Sequence, residues 1–287
     1  MKSQPGKSRR GAKRLDTTER LSKVIARAGI ASRRKAEDLI TEGLVKVNGE
    51  KVLVPQHQVI ADKDKIVVNG KELPRTTELW YFAANKPKGY LCANAPGKDG
   101  TTKLVIDLFE DWRKTVWKRK HPDPRAVPPR LFTVGRLDVA STGLIFVTND
   151  GMWAQSVQHP SAGITKEYIV TCSAEPTRRQ LETIAGGCEV DGAYVTPVAV
   201  APVKDVGQKD RLRIVVAEGR NREVRTLVAH AGLDVVALKR VRIGGYRLPR
   251  ELGLGQIVSL KPHEIRRISD KGAQANNPTI NPYFTGV

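Results

Sequence analysis

Apolar residues recur along the chain with two different periods, and the change of period divides it. Leu21, Val24, Ile25 and Ala28 follow the i, i+3, i+4, i+7 spacing of an amphipathic helix that Gly29 stops. Ser32 has the side chain of an N-cap, and Ala36, Leu39 and Ile40 predict the buried face of a second short helix ending at Gly43. The period then drops to two. Val45 and Val47, the turn Asn48-Gly49, Val52 and Val54, then Ile66-Val67-Val68 and Asn69-Gly70 predict small strands joined by tight turns.

After a polar link over residues 71–78, Leu79 to Ala84 reads as a strand leading into Asn85-Lys-Pro-Lys-Gly-Tyr90, whose Pro and Gly predict an irregular loop. Leu144-Ile-Phe-Val147 is a buried strand closed by Asn149-Asp150-Gly151, and the polar loop before it carries Arg136 and Asp138. A short helix around Trp153, a strand at Lys166–Cys172 and a helix opened by Pro176 and ended by Gly186-Gly187 follow. Leu212, Ile214 and Val216 alternate as a strand, and Asn221 is expected to cap a helix burying Val224, Leu227 and Val228. On that helix Arg222 and Arg225 fall one turn apart, so they share a face. Leu233 to Leu248 is a last long strand segment with Lys239, Arg240 and Arg242 interleaved. Strands outnumber helices without alternating regularly with them, which predicts an α+β chain whose larger part has a mixed, mainly antiparallel sheet flanked by helices. Residues 107–129 look least regular; Trp112 and Trp117 there read either as base-stacking platforms or as anchors pinning a surface insertion.

Charge narrows the partners. Forty-nine Lys and Arg against thirty Asp and Glu give +19 over 287 residues, more than solubility requires, and point to a polyanion, with nucleic acid the first candidate. No apolar run reaches the ~18 residues of a membrane span, and no basic amphipathic helix suits a lipid surface. Cys92, Cys172 and Cys188 are far apart, and the five histidines are scattered, so neither a disulfide framework nor a metal site is expected. Residues 1–18 form a basic arm, expected to be disordered, that is either a solvated tail or extra phosphate contact; residues 268–287 read as a loose C-terminal tail.

One local conflict stands out. Arg33, Arg34 and Lys35 crowd the first turn of the second helix, where the positive end of the helix dipole favours acids, so a phosphate is the natural ligand there. The run from Arg20 through Lys23 to Glu37, followed by Gly43-Leu-Val-Lys-Val-Asn-Gly, resembles the S4-type RNA-binding module, here over residues 19–75. Beyond it, Asn85-Lys-Pro-Lys-Gly-Tyr, Gly135-Arg-Leu-Asp-x-x-Ser-x-Gly-Leu, Lys166-Glu-Tyr and Glu218-Gly-Arg-Asn-Arg-Glu-Val-Arg occur in order. This set resembles the pseudouridine synthases of the small-subunit rRNA type, in the branch that also contains large-subunit rRNA enzymes, and implies a catalytic domain over residues 78–267.

What the resemblance implies is specific. Such enzymes cleave the N-glycosidic bond of a chosen uridine, turn the base and rejoin it through carbon, without cofactor or metal. Asp138 matches the catalytic aspartate, Tyr168 the tyrosine that stacks on the base, and Arg225 the cation that pairs with the aspartate. Arg20, Lys23, Arg33, Arg34, Lys35, Lys86, Arg136, Lys166, Arg220, Arg222, Lys239 and Arg240 are the expected RNA contacts. The partner implied is ribosomal RNA, of the large subunit in preference to the small, or a pre-ribosomal particle, bound by a monomer. Two features depart from the usual pattern: Thr226-Leu227 replaces a basic residue and a methionine, and the insertion at residues 112–130 is long. The insertion and the acid-free start favour a plastid stroma over a bacterial cytoplasm. Two competing readings stay open, a ribosome-assembly protein that binds RNA without catalysis, and a DNA-binding or glycosylase-like protein.

Overall fold

The computed structural model describes residues 18–73, 78–95, 100, 102–124, 126–203 and 209–270. Most of the basic arm and the tail from Lys271 onward lie outside them. The chain divides into two compact units between Glu78 and Leu79.

In the first unit β1 (Glu19–Arg20) leads into α1 (Leu21–Arg27) and α2 (Arg33–Thr41). Ser32 caps α2 by accepting from the Lys35 N–H at 3.1 Å, and Ala36, Leu39 and Ile40 are buried as their spacing requires. β2 (Val45–Val47), β3 (Glu50–Lys51), β4 (Gln58–Val59), β5 (Ile66–Val68) and β6 (Lys71–Glu72) follow, with β3-β2-β5-β6 forming one sheet and β4 pairing with β1. Asn48 and Gly49 both have positive φ (53° and 94°), the conformation that a two-residue hairpin turn demands. The two helices and the sheet share a core through Leu21, Ile25, Ile40, Val45 and Val68. Val54, expected on a strand, is instead outside one and 57% exposed.

The second unit is built on a sheet of nine described strands. β7 (Tyr81–Lys86) lies one strand in from its edge, and a helical segment follows. That segment consists of a 3-10 turn (Val105–Phe109), α3 (Glu110–Trp112), a π turn (Arg113–Trp117) and α4 (Lys118–Lys120). This corrects the expectation of irregular structure as far as Lys120; the described residues of 121–130 form neither helix nor strand. Trp112 and Trp117 are only 7% and 5% exposed, and Trp112 packs edge-on against Trp80 and Phe82 of the strand region, so the tryptophans are anchors rather than stacking platforms.

The chain continues through β8 (Phe132–Val134), β9 (Thr142–Thr148) and α5 (Gly151–Gln158), which Asp150 caps by accepting from the Met152 and Trp153 N–H groups. β10 (Lys166–Cys172), α6 (Arg178–Gly186), the hairpin β11 (Cys188–Val190) and β12 (Ala193–Val195), β13 (Ala199–Pro202) and β14 (Arg211–Val216) come next. Last are α7 (Glu223–His230), β15 (Val235–Ile243), β16 (Tyr246–Arg247), β17 (Ile257–Ser259) and α8 (Pro262–Ile268). The main path runs β13-β14-β10-β15-β9-β7-β17, with β16 beside β15 and β8 beside β9. Its pairings are antiparallel except the central β15–β9 contact, which is parallel, so the expected mixed, mainly antiparallel sheet with helices is what the chain forms.

That parallel seam matters. Register places Tyr168 opposite Arg240, Arg240 opposite Gly143, and Gly143 opposite Lys86, a single row across β10, β15, β9 and β7. The loop carrying Asp138 empties into β9 at the end of this row. Gly143 is required there: its φ is +102°, and a Cβ would stand 2.2 Å from the Arg240 carbonyl oxygen.

Candidate active site

The site starts from a buried cation. Lys86, the last residue of β7, is fully buried, and its amine donates to the carbonyls of Pro87 (3.1 Å), Val139 (3.2 Å) and Ser141 (2.7 Å). Two of these acceptors, Val139 and Ser141, follow closely after Asp138 in its loop. Gly89 N–H also donates to Val139 O at 2.8 Å, and Ser141 N–H closes the turn onto Asp138 O at 3.0 Å. The Asn85-Lys-Pro-Lys-Gly segment thus holds the Asp138 loop from below. Burial pushes the Lys86 ammonium below its ordinary pKa. Lys86 is therefore not a surface RNA contact, because all three of its donors are spent on protein carbonyls.

Asp138 itself stays partly open, its side chain 41% exposed. Arg225, from the first turns of α7, brings Nε to 3.4 Å from its Oδ2, while Arg225 Nη2 lies 3.4 Å from Ser141 Oγ. Ser141 is buried and gives the guanidinium a second fixed point; nothing but its place in the Asp138 motif marks it in the sequence.

The loop before α7 is also held from within. Glu223, buried at the start of the helix, accepts from the Gly219 and Arg220 N–H groups at 2.8 and 2.7 Å, and its desolvation raises its pKa. Arg222, not Asn221, is the N-cap, with left-handed φ of 54° and no side-chain cap bond. It precedes the helix rather than lying on it, so Arg222 and Arg225 do not share a helical face. Lys166 reaches the same loop, donating to Glu218 O at 2.7 Å; burial, and then the Arg240 charge, lower its pKa.

These elements enclose a cavity of about 380 Å³. Asp138 and Tyr168 both line it, with Ser141, Leu238 and Ile243 among the wall residues. Arg136, Lys166, Arg220, Arg222 and Arg240 line it against the carboxylates of Asp138, Glu218 and Glu223, which leaves an excess of positive charge around Asp138. Arg225 meets the cavity through Asp138. Of the expected contacts in this unit, Lys239 is exposed but does not line the cavity, since neighbours on a strand face opposite ways and Leu238 and Arg240 point inward. Arg240 is only 5% exposed, too buried for a surface phosphate contact.

The remaining expected contacts lie on the first unit. Arg20, Arg33, Arg34 and Lys35 are exposed; Lys23 stands 3.5 Å from Glu19, and Lys35 is 3.8 Å from Asp38. Among the described residues no cluster of His, Cys, Asp or Glu suits a metal ion, and no helix is long and apolar enough to cross a membrane.

The family model described as RNA pseudouridylate synthase matches residues 80–230, more than half the chain. The chain belongs to that family. The S4 domain model matches residues 19–64, which contain both helices and the first strands of the first unit. A chloroplastic protein of Arabidopsis thaliana named as a ribosomal large subunit pseudouridine synthase is 49% identical over 256 residues, which are 88% of this chain and 61% of that protein. Ribosomal large subunit pseudouridine synthase B of Bacillus subtilis is 36% identical over 263 residues, 90% of this chain and 99% of its own. Among solved structures, a crystal structure of a pseudouridylate synthase superposes with a TM-score of 0.56 at 28% identity, covering 87% of this chain and 99% of that one. The family's fold and its S4 companion are thus those expected from the motifs.

Proposed function

We propose that this chain converts one uridine of large-subunit ribosomal RNA to pseudouridine. The observation that carries the reading is the Asp138–Arg225 ion pair at 3.4 Å, set beside a cavity whose wall includes Tyr168. An ionised carboxylate held by a fixed cation can attack the sugar carbon or take a proton from the sugar, and either route opens the glycosidic bond. Tyr168 offers an aromatic face for the released base and a hydroxyl for proton transfer at its carbon. The cavity has the size of a flipped nucleotide's pocket, and Arg136, Arg220 and Arg222 are placed to hold the phosphates around it.

The retained acid, cation and aromatic ring favour catalysis over binding alone, and the S4-type unit favours structured RNA over DNA. The large-subunit target is taken from the relatives' names. Within that reading the S4-type unit and the arm before it grip ribosomal RNA or a pre-ribosomal particle, residues 78–267 carry the chemistry, and a monomer suffices. The Arabidopsis relative supports a plastid stroma as the compartment. The test is pseudouridine mapping of total ribosomal RNA with and without the gene: one large-subunit uridine should lose its modification, and an unchanged map would sink the proposal.

A further inference from the structure

Arg240, the buried guanidinium of β15, has one donor that its contacts with the protein leave over. Its Nε donates to Leu144 O at 2.8 Å, and its Nη1 lies 3.3 Å from Arg136 O and 3.5 Å from Tyr168 Oη. Its Nη2 is buried and has no hydrogen-bond partner. Leaving a buried guanidinium donor unmatched costs stability, and such a cost is expected where a ligand supplies the missing acceptor. Arg240 is part of the cavity wall and touches the hydroxyl of the aromatic residue on which the base would stack.

We propose that Arg240 is a further catalytic residue: its Nη2 donates to a carbonyl oxygen of the flipped uracil and stabilises the base as an anion once it is detached. The inference rests on the functional reading above. When the C1′–N1 bond breaks, its electron pair leaves with uracil, and the negative charge spreads from N1 onto O2 and O4. A guanidinium recessed in the wall matches that spread charge without taking a proton. The anion's C5 then bonds to C1′ as the Asp138 carboxylate leaves that carbon, or as the sugar regains the proton that Asp138 took; the C5 proton departs, N1 gains a proton, and the base is neutral again. The donor is thus most useful at the point where the base carries charge, which is how an electrostatic contact accelerates a reaction rather than merely tightening binding. Phosphates are better served by Arg220 and Arg222, on the loop before α7; Arg240 is too recessed for them.

Two free bases test this with the full chain. Ionised 5-nitrouracil stands in for the uracil anion, and 5,6-dihydrouracil for the neutral base; equilibrium dialysis gives both Kd values. A hydrogen bond to a charged group is worth roughly tenfold or more in affinity. The wild type should therefore prefer the anion by at least about tenfold. Arg240→Gln should reduce the preference to within about twofold, with most of the loss falling on 5-nitrouracil and only a smaller rise in the dihydrouracil Kd, because a neutral carbonyl loses a weaker bond than an anion does. Arg240→Lys, which keeps the charge and loses the planar fork, should fall between. The proposal is overturned if the preference survives in Arg240→Gln, if dihydrouracil affinity falls in parallel, or if the wild type shows no preference. Should Arg240→Gln fail to fold by tryptophan fluorescence, Arg240→Lys decides: an undiminished preference there overturns it. A wild type that makes pseudouridine yet shows no Arg240-dependent preference refutes this inference alone, whereas absence of pseudouridine refutes the functional reading.

Discussion

Replacing Lys86 by Met removes a buried ammonium and leaves a side chain of similar length. Three carbonyl oxygens lose their donor, those of Pro87, Val139 and Ser141, although Val139 O keeps the Gly89 N–H. Each acceptor stripped of a partner in a buried site costs roughly 1–3 kcal/mol. Part of that is recovered, because burial already disfavours the ammonium and holds its pKa down. A net loss of about 2–3 kcal/mol follows. With a urea m value of roughly 3 kcal/mol/M for a unit of this size, the midpoint should fall by about 0.7–1 M. Tryptophan fluorescence is the assay, since Trp80, Trp112, Trp117 and Trp153 all lie in the second unit and report its unfolding alone. The variant should also lose most of its pseudouridine formation under conditions where it is fully folded, because two of the freed carbonyls follow closely after Asp138 in its loop. An unshifted midpoint with full activity would refute the claim that Lys86 anchors the Asp138 loop.

Other outcomes can be checked in the same protein. Glu167 is 1% exposed and accepts from Arg242 Nε at 3.0 Å and Arg247 Nη2 at 2.9 Å; burial alone would raise its pKa, but these two guanidinium groups outweigh burial and hold it below 4.5. Its folded pKa is thus lower than its unfolded one, so its stabilisation is present above about pH 4.5 and lost as pH falls further. Glu167→Gln should cost on the order of 3 kcal/mol at neutral pH, and its unfolding midpoint should depend less on pH between about pH 5 and pH 3 than that of the wild type. Gly143→Ala places a Cβ against the Arg240 carbonyl in a backbone conformation that L residues rarely adopt, and should destabilise the second unit by roughly 2 kcal/mol or more in the same urea assay. Converting Arg33, Arg34 and Lys35 to Ala should weaken binding to ribosomal RNA and reduce the slope of log K against log salt by roughly 2–3; an unchanged slope would show that these cations face only water.

How far the sequence could be read depended on what each feature answers to. The helices of the first unit follow from local rules: Ser32 caps, Ala36, Leu39 and Ile40 repeat, and Asn48-Gly49 turns, so little is left for tertiary context to override. Asp138, Tyr168 and Arg225 were legible as motif members, but nothing local shows them sharing a cavity. Their meeting is a consequence of register, which puts Tyr168, Arg240 and Gly143 in one row across the sheet. Lys86 and Arg240 are not surface cations for one reason: charged residues on a strand ordinarily mark a wet face, whereas β7 and β15 are interior strands, and their cations are buried with backbone carbonyls as partners. The helical segment at residues 105–120 is hidden because Trp112 packs on Trp80 and Phe82, a contact no periodicity announces. Arg222 was placed one position wrong since a left-handed Arg is a poor sequence signal for an N-cap.

Asp138 is the group on which the proposed chemistry depends. Asp138→Asn keeps the shape of the side chain and an acceptor for Arg225 while removing the charge that the proposed mechanism uses to open the glycosidic bond. Purified and incubated with large-subunit ribosomal RNA lacking the modification, the variant should bind as tightly as the wild type and form no pseudouridine. Pseudouridine produced by Asp138→Asn at the wild-type rate would contradict the assignment of this carboxylate, and with it the mechanism built on the pair with Arg225.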